Sequence, residues 1–308
     1  MSNKLTDLLG VTYPIFQGAM AWISRAPLAA AVSNAGGLGI LSGVTDSLET
    51  LRQEIRRTRA MTKRPFGVNL MLQSPLAKQA ARLVAEERVP VVTTGAGSPA
   101  EYMEQWLAAK IQVLPVVASV SLARWMEREG ACAVIAEGTE AGGHVGDIST
   151  MCLVPQVCDA VSIPVVAAGG IADGRGMAAA LLLGAQGVQL GTRFLAAAEC
   201  GVHSSYTDRV LRAKDTGTVV TGHLTGQAVR SLKSPLTGRL MRQERSGQPV
   251  YPTGALRRAV EDGDENEGWF LAGQSAGLVN RRMPAAEIVS EIIEQAQKEL
   301  EYGACRLS

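Results

Sequence analysis

The sequence predicts an α/β fold, a TIM (β/α)8 barrel with a smaller inserted segment before the C-terminal helix. Short apolar runs begin near residues 89, 111, 131, 164 and 187, so strands recur every 20 to 33 residues with helical patterns between them. This spacing suits eight βα units, and the runs are apolar on both faces, as parallel strands covered by helices are. A doubly wound sheet is the competing architecture. It requires a GxGxxG turn after its first strand, whereas the first turn here reads GAMAW.

Strands and helices alternate in the predicted order. Strands are predicted at residues 13–16, 38–41, 66–70, 89–93, 111–117, 131–136, 164–168 and 187–190. Helices are predicted around residues 28–32, 48–55 and 77–87, from 99, at 122–129, through 154–157 and from 173 to a stop at 184. The spacing from Asp46 to Glu49 predicts a capping box for the second helix. A final helix, with residues 288, 292, 296 and 300 on one face, is predicted to pack back on the barrel.

The pattern weakens between residues 203 and 268, which are rich in Arg, Thr, Gly and acidic residues. We interpret this segment as a smaller insert or lid, with residues 1–202 and 269–308 forming the barrel. Arg230, Lys233, Arg239 and Arg242 fall in the insert. They predict either an exposed basic patch or an ordinary solvated face.

Composition favours a small-molecule partner. The formal net charge is +1, from 30 basic and 29 acidic residues without a long single-sign block, so no nucleic-acid partner and no membrane surface is expected. The apolar runs are too short to span a bilayer and the N-terminus lacks a signal-peptide pattern, so a cytoplasmic protein is predicted. The five cysteines show no metal-ligand spacing and are interpreted as structural thiols, with no metal site.

Two glycine turns end neighbouring predicted strands, Gly169-Gly170 after one and Gly191-Thr192 after the next. Backbone N–H groups at such turns can surround a phosphate without interference from Cβ atoms. In a (β/α)8 barrel this is the phosphate site after strands seven and eight. Ordinary turns are the alternative for either pair alone.

The loop at residues 137–146, EGTEAGGHVG, is predicted to lie on the same rim. Glu137 and Glu140 can accept N–H bonds, Gly143 lets the backbone approach a flat ligand, and His144 can donate or accept a proton near neutral pH. His144 is therefore the candidate catalytic residue, with a structural hydrogen-bonding role as the alternative.

Other rim positions are candidates for binding a cofactor. Asn69 and Gln274 can bond a ligand carbonyl or amide, although Asn69 could instead cap the next helix. Gly18, Ala19 and Met20 offer main-chain groups and an apolar side chain to a planar ring.

Six segments in order carry a resemblance to a known family: YPIFQGAMAW, FGVNLMLQSP, VVTTGAG, AVIAEGTEAGGHVG, PVVAAGGIADG and GVQLGTRF. Together they closely resemble the flavin-dependent enoyl-acyl-carrier-protein reductase II group, which is related to the nitronate monooxygenases. The resemblance covers about residues 5–200 and 269–280. GVNLMLQSP, VVTTGAG and EGTEAGGHVG look more like the reductase branch.

The resemblance implies FMN in the barrel mouth. Its phosphate would lie at Gly169, Gly170, Gly191 and Thr192, and His144 would face the substrate. The ribityl chain and ring would be surrounded by Gly18, Ala19, Met20, Asn69, Glu137 and Gly143.

The activity that the resemblance implies is NAD(P)H-dependent reduction of a trans-2-enoyl thioester, on acyl carrier protein or CoA, in fatty-acid elongation. A nitronate monooxygenase using FMN and O₂ is the alternative, and an inactive flavin-binding protein is a third. A homodimer is expected by resemblance. The choice of NADH or NADPH, the acyl chain length and a dependence on a monovalent cation stay open at this point.

Overall fold

A computed structural model of the chain describes residues 3–305 and confirms the predicted barrel. Eight parallel strands close in the order β1-β2-β3-β4-β5-β6-β8-β9, and β9 pairs back with β1 so that Gln189 lies opposite Phe16. The strands are β1 Ile15–Gln17, β2 Leu38–Ser42, β3 Phe66–Met71, β4 Val91–Gly95, β5 Gln112–Val117, β6 Val134–Glu137, β7 Gly143–His144, β8 Val165–Ala168, β9 Gly187–Leu190, β10 Thr218–Thr221 and β11 Val229–Leu232.

Helices cover the outside of the barrel and form part of the insert. They are α1 Lys4–Leu9, α2 Ala26–Asn34, α3 Leu48–Met61, α4 Ala77–Glu86, α5 Ala100–Ala108, α6 Val120–Arg128, α7 Thr150–Ala160, α8 Gly174–Leu182, α9 Ser204–Arg212, α10 Pro235–Arg245, α11 Ala255–Arg257 and α12 Ala285–Cys305. Within residues 3–305, no helix has the length and apolarity needed to cross a bilayer.

The helix caps explain two of these boundaries. Asp173 caps α8 as predicted, because its carboxylate accepts the backbone N–H groups of Arg175 and Gly176. The predicted Asp46–Glu49 capping box is wrong. Ser47 is the N-cap of α3 and accepts the N–H of Thr50, which places Asp46 outside the helix.

Side chains of α1 and of the strands pack together at the amino end of the barrel. Leu5 and Leu9 of α1 join a buried cluster with Phe16, Leu38 and Ile135 from the strands. These apolar residues pack together at this end of the barrel, and the cavity lies at the opposite, carboxyl end.

The insert does not fold apart from the barrel. β10, β11 and β7 form a three-stranded antiparallel sheet, so the insert pairs directly with the loop that follows β6. Val229, Leu236, Leu240, Ala255 and Trp269 form a buried cluster beneath it.

The terminal helix α12 packs against α8, as predicted. Gly174 makes this close approach possible, because a Cβ atom there would lie 2.4 Å from the backbone nitrogen of Ala296.

Ser47→Ala is expected to lower the free energy of unfolding by about 1 kcal/mol, because it removes the acceptor for an N–H group at the start of α3. Glu49→Ala is the control and should cost less than about 0.5 kcal/mol, since Glu49 lies on the exposed face of the helix. Urea unfolding of both variants measures the difference. Equal losses would restore the Asp46–Glu49 interpretation.

Candidate active site

A cavity of about 500 Å³ opens at the carboxyl ends of the barrel strands. Its lining combines apolar side chains with bare backbone and a few polar groups, as ligand sites do. Eleven of the twelve predicted site residues line it: Gly18, Ala19, Met20, Asn69, Glu137, Gly143, His144, Gly169, Gly170, Gly191 and Thr192. The fold therefore brings them together, and their individual roles stay predictions.

Gln274 is the exception. It begins a 3-10 helix, Gln274–Leu278, and its side chain is exposed away from the cavity. Its backbone N–H donates to the carbonyl oxygen of Glu140 at 2.9 Å. Ser275, the next residue, is buried and lines the cavity instead. Cofactor binding by Gln274 stays a prediction. The phase of the 3-10 turn, which cannot be read from the sequence, places Ser275 at the cavity.

The two glycine turns lie side by side, since β8 and β9 pair in parallel with Ala168 opposite Gln189. Gly169 and Gly170 both have positive φ, +94° and +75°. A Cβ atom on Gly169 would lie 2.8 Å from the carbonyl oxygen of Gly138, so this backbone requires glycine. The resulting cradle of bare backbone fits a phosphate group.

Thr192 links this cradle to the C-terminal segment. Its hydroxyl oxygen accepts the backbone N–H of Gly273 at 2.9 Å. The hydroxyl proton stays available for an anionic oxygen in the cavity.

A carboxylate holds the loop after β6 against this cradle. Glu140 accepts both the backbone N–H of Thr150, at 2.9 Å, and the Thr150 hydroxyl, at 2.8 Å. The same hydroxyl lies 3.0 Å from the carbonyl oxygen of Gly169. Sequence reasoning missed Thr150, because nothing in the sequence shows that the start of α7 meets both Glu140 and Gly169.

Two polar side chains lie level with each other at the cavity floor. Glu137 pairs in register with Ala168, and Ala168 with Gln189. Among the residues described, no hydrogen-bond partner is found for the Glu137 carboxyl group, and burial raises its pKa to about 7. Gln189 also lines the cavity. It was missed, although a polar residue inside the apolar run GVQL was an available signal.

Asn69 faces the cavity from β3 and is held by a second side chain. The hydroxyl of Thr93 donates to the Oδ1 atom of Asn69 at 2.9 Å. This leaves the Asn69 amide N–H groups for a ligand. The alternative capping role does not occur, because Asn69 lies within β3 and α4 begins at Ala77.

His144 lies at the mouth of the cavity, and the insert fixes its position. It pairs with Val229 of β11, and the N–H of Val145 donates to the carbonyl of Ala228. The residue is exposed by surface area, yet the protein around the ring lowers the imidazole pKa through desolvation. This desolvation favours the neutral form of the imidazole. His203 instead caps α9, and His223 is exposed in the insert.

Cysteines and the basic residues of the insert add little to the site. Across the described residues no group of three or more His, Cys, Asp or Glu side chains could hold a metal ion. Cys132, Cys152, Cys158 and Cys200 are unpaired, and the Cys305 side chain lies outside the described part. Arg230 is buried and donates to the Thr139 carbonyl, so it does not belong to an exposed basic patch.

Paired glycine turns under a wide, mostly apolar cavity at the strand ends are the arrangement of TIM-barrel flavoprotein oxidoreductases. Within that class, the chain belongs to the nitronate monooxygenase family, whose model matches residues 2–85 and 76–295. The family is FMN-dependent.

Similar proteins carry several names. A probable nitronate monooxygenase of Staphylococcus haemolyticus is 34% identical, with 96% of this chain and 97% of that protein covered. A (3aS,4S,5R,7aS)-5-hydroxy-7a-methyl-1-oxo-octahydro-1H-indene-4-carboxyl-CoA dehydrogenase of Mycobacterium tuberculosis is 39% identical, with 78% and 68% covered.

Among solved structures, FabK from Thermotoga maritima is 45% identical, with a TM-score of 0.97 and 99% of each chain covered. A nitroalkane oxidase from Streptomyces ansochromogenes is 32% identical, with a TM-score of 0.85 and 97% and 99% of the two chains covered.

Thr93→Val is expected to lower the free energy of unfolding by about 1 to 3 kcal/mol and to weaken FMN binding about fivefold, because the Asn69 carbonyl loses its donor. Thr94→Val is the matched control. The Thr94 hydroxyl is buried without a hydrogen-bond partner, so its removal should be neutral or stabilising. Urea unfolding and FMN fluorescence titration measure the two effects, and equal losses would contradict the role given to Thr93.

The raised pKa of Glu137 predicts the pH dependence of stability. Between pH 4.5, the ordinary pKa of the group, and about 7, the unfolded chain ionises Glu137 while the folded protein keeps it protonated. The FMN-free protein should therefore lose stability across this window, by up to about 3 kcal/mol, with no further change above it. Glu137→Gln should remove this slope. An unchanged slope in urea unfolding would show that Glu137 titrates normally.

Proposed function

We propose that the protein is an FMN-dependent enoyl-acyl-carrier-protein reductase that uses NAD(P)H to reduce the trans-2 double bond of enoyl thioesters in fatty-acid elongation. The observation that carries this proposal is the likeness to FabK, an enoyl-acyl-carrier-protein reductase II. Identity to FabK is 45% over the full length, against 34% and 32% for the nitronate monooxygenase and the nitroalkane oxidase.

The cavity has the groups that FMN requires. The backbone N–H groups of the two glycine turns and the Thr192 hydroxyl would hold the phosphate. The amide of Asn69 and the floor residues Glu137 and Gln189 offer donors and acceptors to the polar parts of the cofactor. Bound FMN would supply hydride-transfer chemistry.

His144 would act on the substrate carbonyl. A neutral imidazole can donate one N–H to the thioester oxygen, where negative charge develops as the double bond is reduced. The same ring can relay a proton to the α-carbon. Pairing of β7 with β11 fixes the backbone of His144 at the mouth of the cavity.

Apolar side chains from several segments form much of the remaining cavity wall. They include Met71, Val116, Leu122, Val145 and Leu256. This wall suits an acyl chain, and burial of the chain there would supply binding free energy in proportion to its apolar area.

Nitronate monooxygenase activity is the second candidate, supported by the family model and the names of several relatives. The CoA thioester named for the Mycobacterium tuberculosis relative supports a thioester substrate instead. The proposal also includes the carrier, which is acyl carrier protein or CoA. It further includes a cytoplasmic homodimer and a monovalent cation.

Anaerobic stopped-flow absorbance of the flavin separates the two activities. Bleaching by NADH or NADPH, followed by recovery on crotonyl thioester, is expected for the reductase. Failure of both nucleotides to bleach the flavin, with turnover of alkyl nitronates in O₂, would overturn the proposal.

His144→Ala should keep FMN bound and lower kcat about 10²- to 10⁴-fold. His223→Ala, in the exposed part of the insert, is the control and should keep wild-type turnover. Because desolvation lowers the pKa of His144, the wild-type rate should fall on the acid side only below the ordinary value of 6.5. A fall that begins above pH 6.5, or full activity of His144→Ala, would remove His144 from the mechanism.

A further inference from the structure

The insert crosses the mouth of the barrel and is held differently at its two sides. On the side of β6, β11 pairs with β7. Counted around the closed barrel, β2 lies opposite β6. There Arg257 links the segment 255–262 to the loops after β1 and β2.

Arg257 makes three contacts. Its guanidinium lies 2.6 Å from the Asp46 carboxylate in the loop after β2 and 4.9 Å from the ring centroid of Trp22 in the loop after β1. It also pairs with Glu261 within its own segment, at 2.8 Å. The Asp46 that sequence reasoning had placed in a helix cap is therefore engaged across the mouth.

Each segment that Arg257 joins also contributes to the cavity wall. Ala21 and Ile23 flank Trp22, Val44 lies two residues before Asp46, and Leu256 immediately precedes Arg257. Ala255 is fully buried, and its carbonyl accepts the N–H of Trp269. Leu256 therefore lies between two fixed neighbours. Ala255 is buried and hydrogen-bonded to Trp269, and Arg257 contacts the loops after β1 and β2.

We infer that Leu256 is a substrate-contacting, specificity-determining residue and that Arg257 is the positioning residue that fixes it by tying the segment 255–262 to the loops after β1 and β2. This inference rests on the proposed function in taking the ligand to carry an apolar chain. Asp46 and Arg257 are about half exposed, at 48% and 45%, so the tie is weak and screened by salt. Changes in salt concentration or in Arg257 should therefore change how firmly Leu256 is held in the cavity wall.

The Trp22 backbone supports the same conclusion. Its φ of +67° lies in the left-handed region, which costs free energy for a residue with a large side chain. Such a conformation persists where surrounding contacts determine it, and it is found at ligand sites. The Arg257 guanidinium over the ring is one of those contacts.

The test uses the full-length, FMN-loaded protein and measures binding without turnover. Butanoyl and octanoyl N-acetylcysteamine thioesters are titrated against flavin absorbance, and the ratio of their Kd values is the readout. Leu256→Ala should reduce the preference for the octanoyl chain about tenfold, because the longer chain loses its contact with the wall. Arg257→Ala should reduce it about three- to fivefold.

Three controls separate positioning from a general structural effect. Arg258→Ala removes the next arginine, which is exposed, and should leave the ratio unchanged. Arg257→Lys keeps a charge for Asp46 and should restore most of the preference. High salt should move the wild-type ratio toward that of Arg257→Ala and leave Arg257→Ala itself unchanged.

An unchanged ratio in Leu256→Ala, or equal effects of Arg257→Ala and Arg258→Ala, would overturn the inference. If wild type binds no thioester but does bind nitroalkanes, the proposed function fails, and the ratio for a short and a long nitroalkane then tests the inference in the same way. Binding of neither series would overturn it as well.

Discussion

The paired hydrogen bonds between Glu140 and Thr150 join the parts of the active site. Thr150 is the first residue of α7, so the carboxylate lies on the positive end of that helix and satisfies one of its free N–H groups. The Thr150 hydroxyl reaches the carbonyl of Gly169, while the Glu140 carbonyl accepts the N–H of Gln274. Three distant segments therefore meet at one acidic residue. Because Glu140 already occupies this helix end, the proposed phosphate site lies at the glycine turns after β8 and β9 instead.

The two sides of the cavity have different structural origins. The glycine cradle and the floor belong to the barrel, where parallel hydrogen bonding fixes the level of every residue. His144 and Leu256 depend on the insert, one through strand pairing with β11 and the other through the buried anchor at Ala255. A change in the insert can therefore alter the substrate side while the phosphate side stays intact.

Much of the fold could be predicted from sequence because its signals are local. Apolar runs, helix periods and glycine turns gave the order of the barrel strands and the level of the rim. Residues that act through other residues could not be predicted. Thr93 holds Asn69 and Thr150 holds Glu140, and these pairs meet only in the folded protein. Gln274 shows a second limit. Ser275 lines the cavity and Gln274 does not, and only the geometry of the turn decides between these neighbours.

Desolvation favours the uncharged form of both titratable groups in the cavity lining, and it therefore shifts their pKa values in opposite directions. It raises the pKa of Glu137 to about 7 and lowers that of His144. Near neutral pH the uncharged imidazole is favoured, and the carboxyl group is partly protonated. Attraction for an anion must then come from backbone N–H groups at the glycine turns, and charge that develops on a substrate must be met by hydrogen bonds. Such a cavity favours a flat, largely apolar ligand with one anionic end, which leaves discrimination between substrates to the side chains at its mouth.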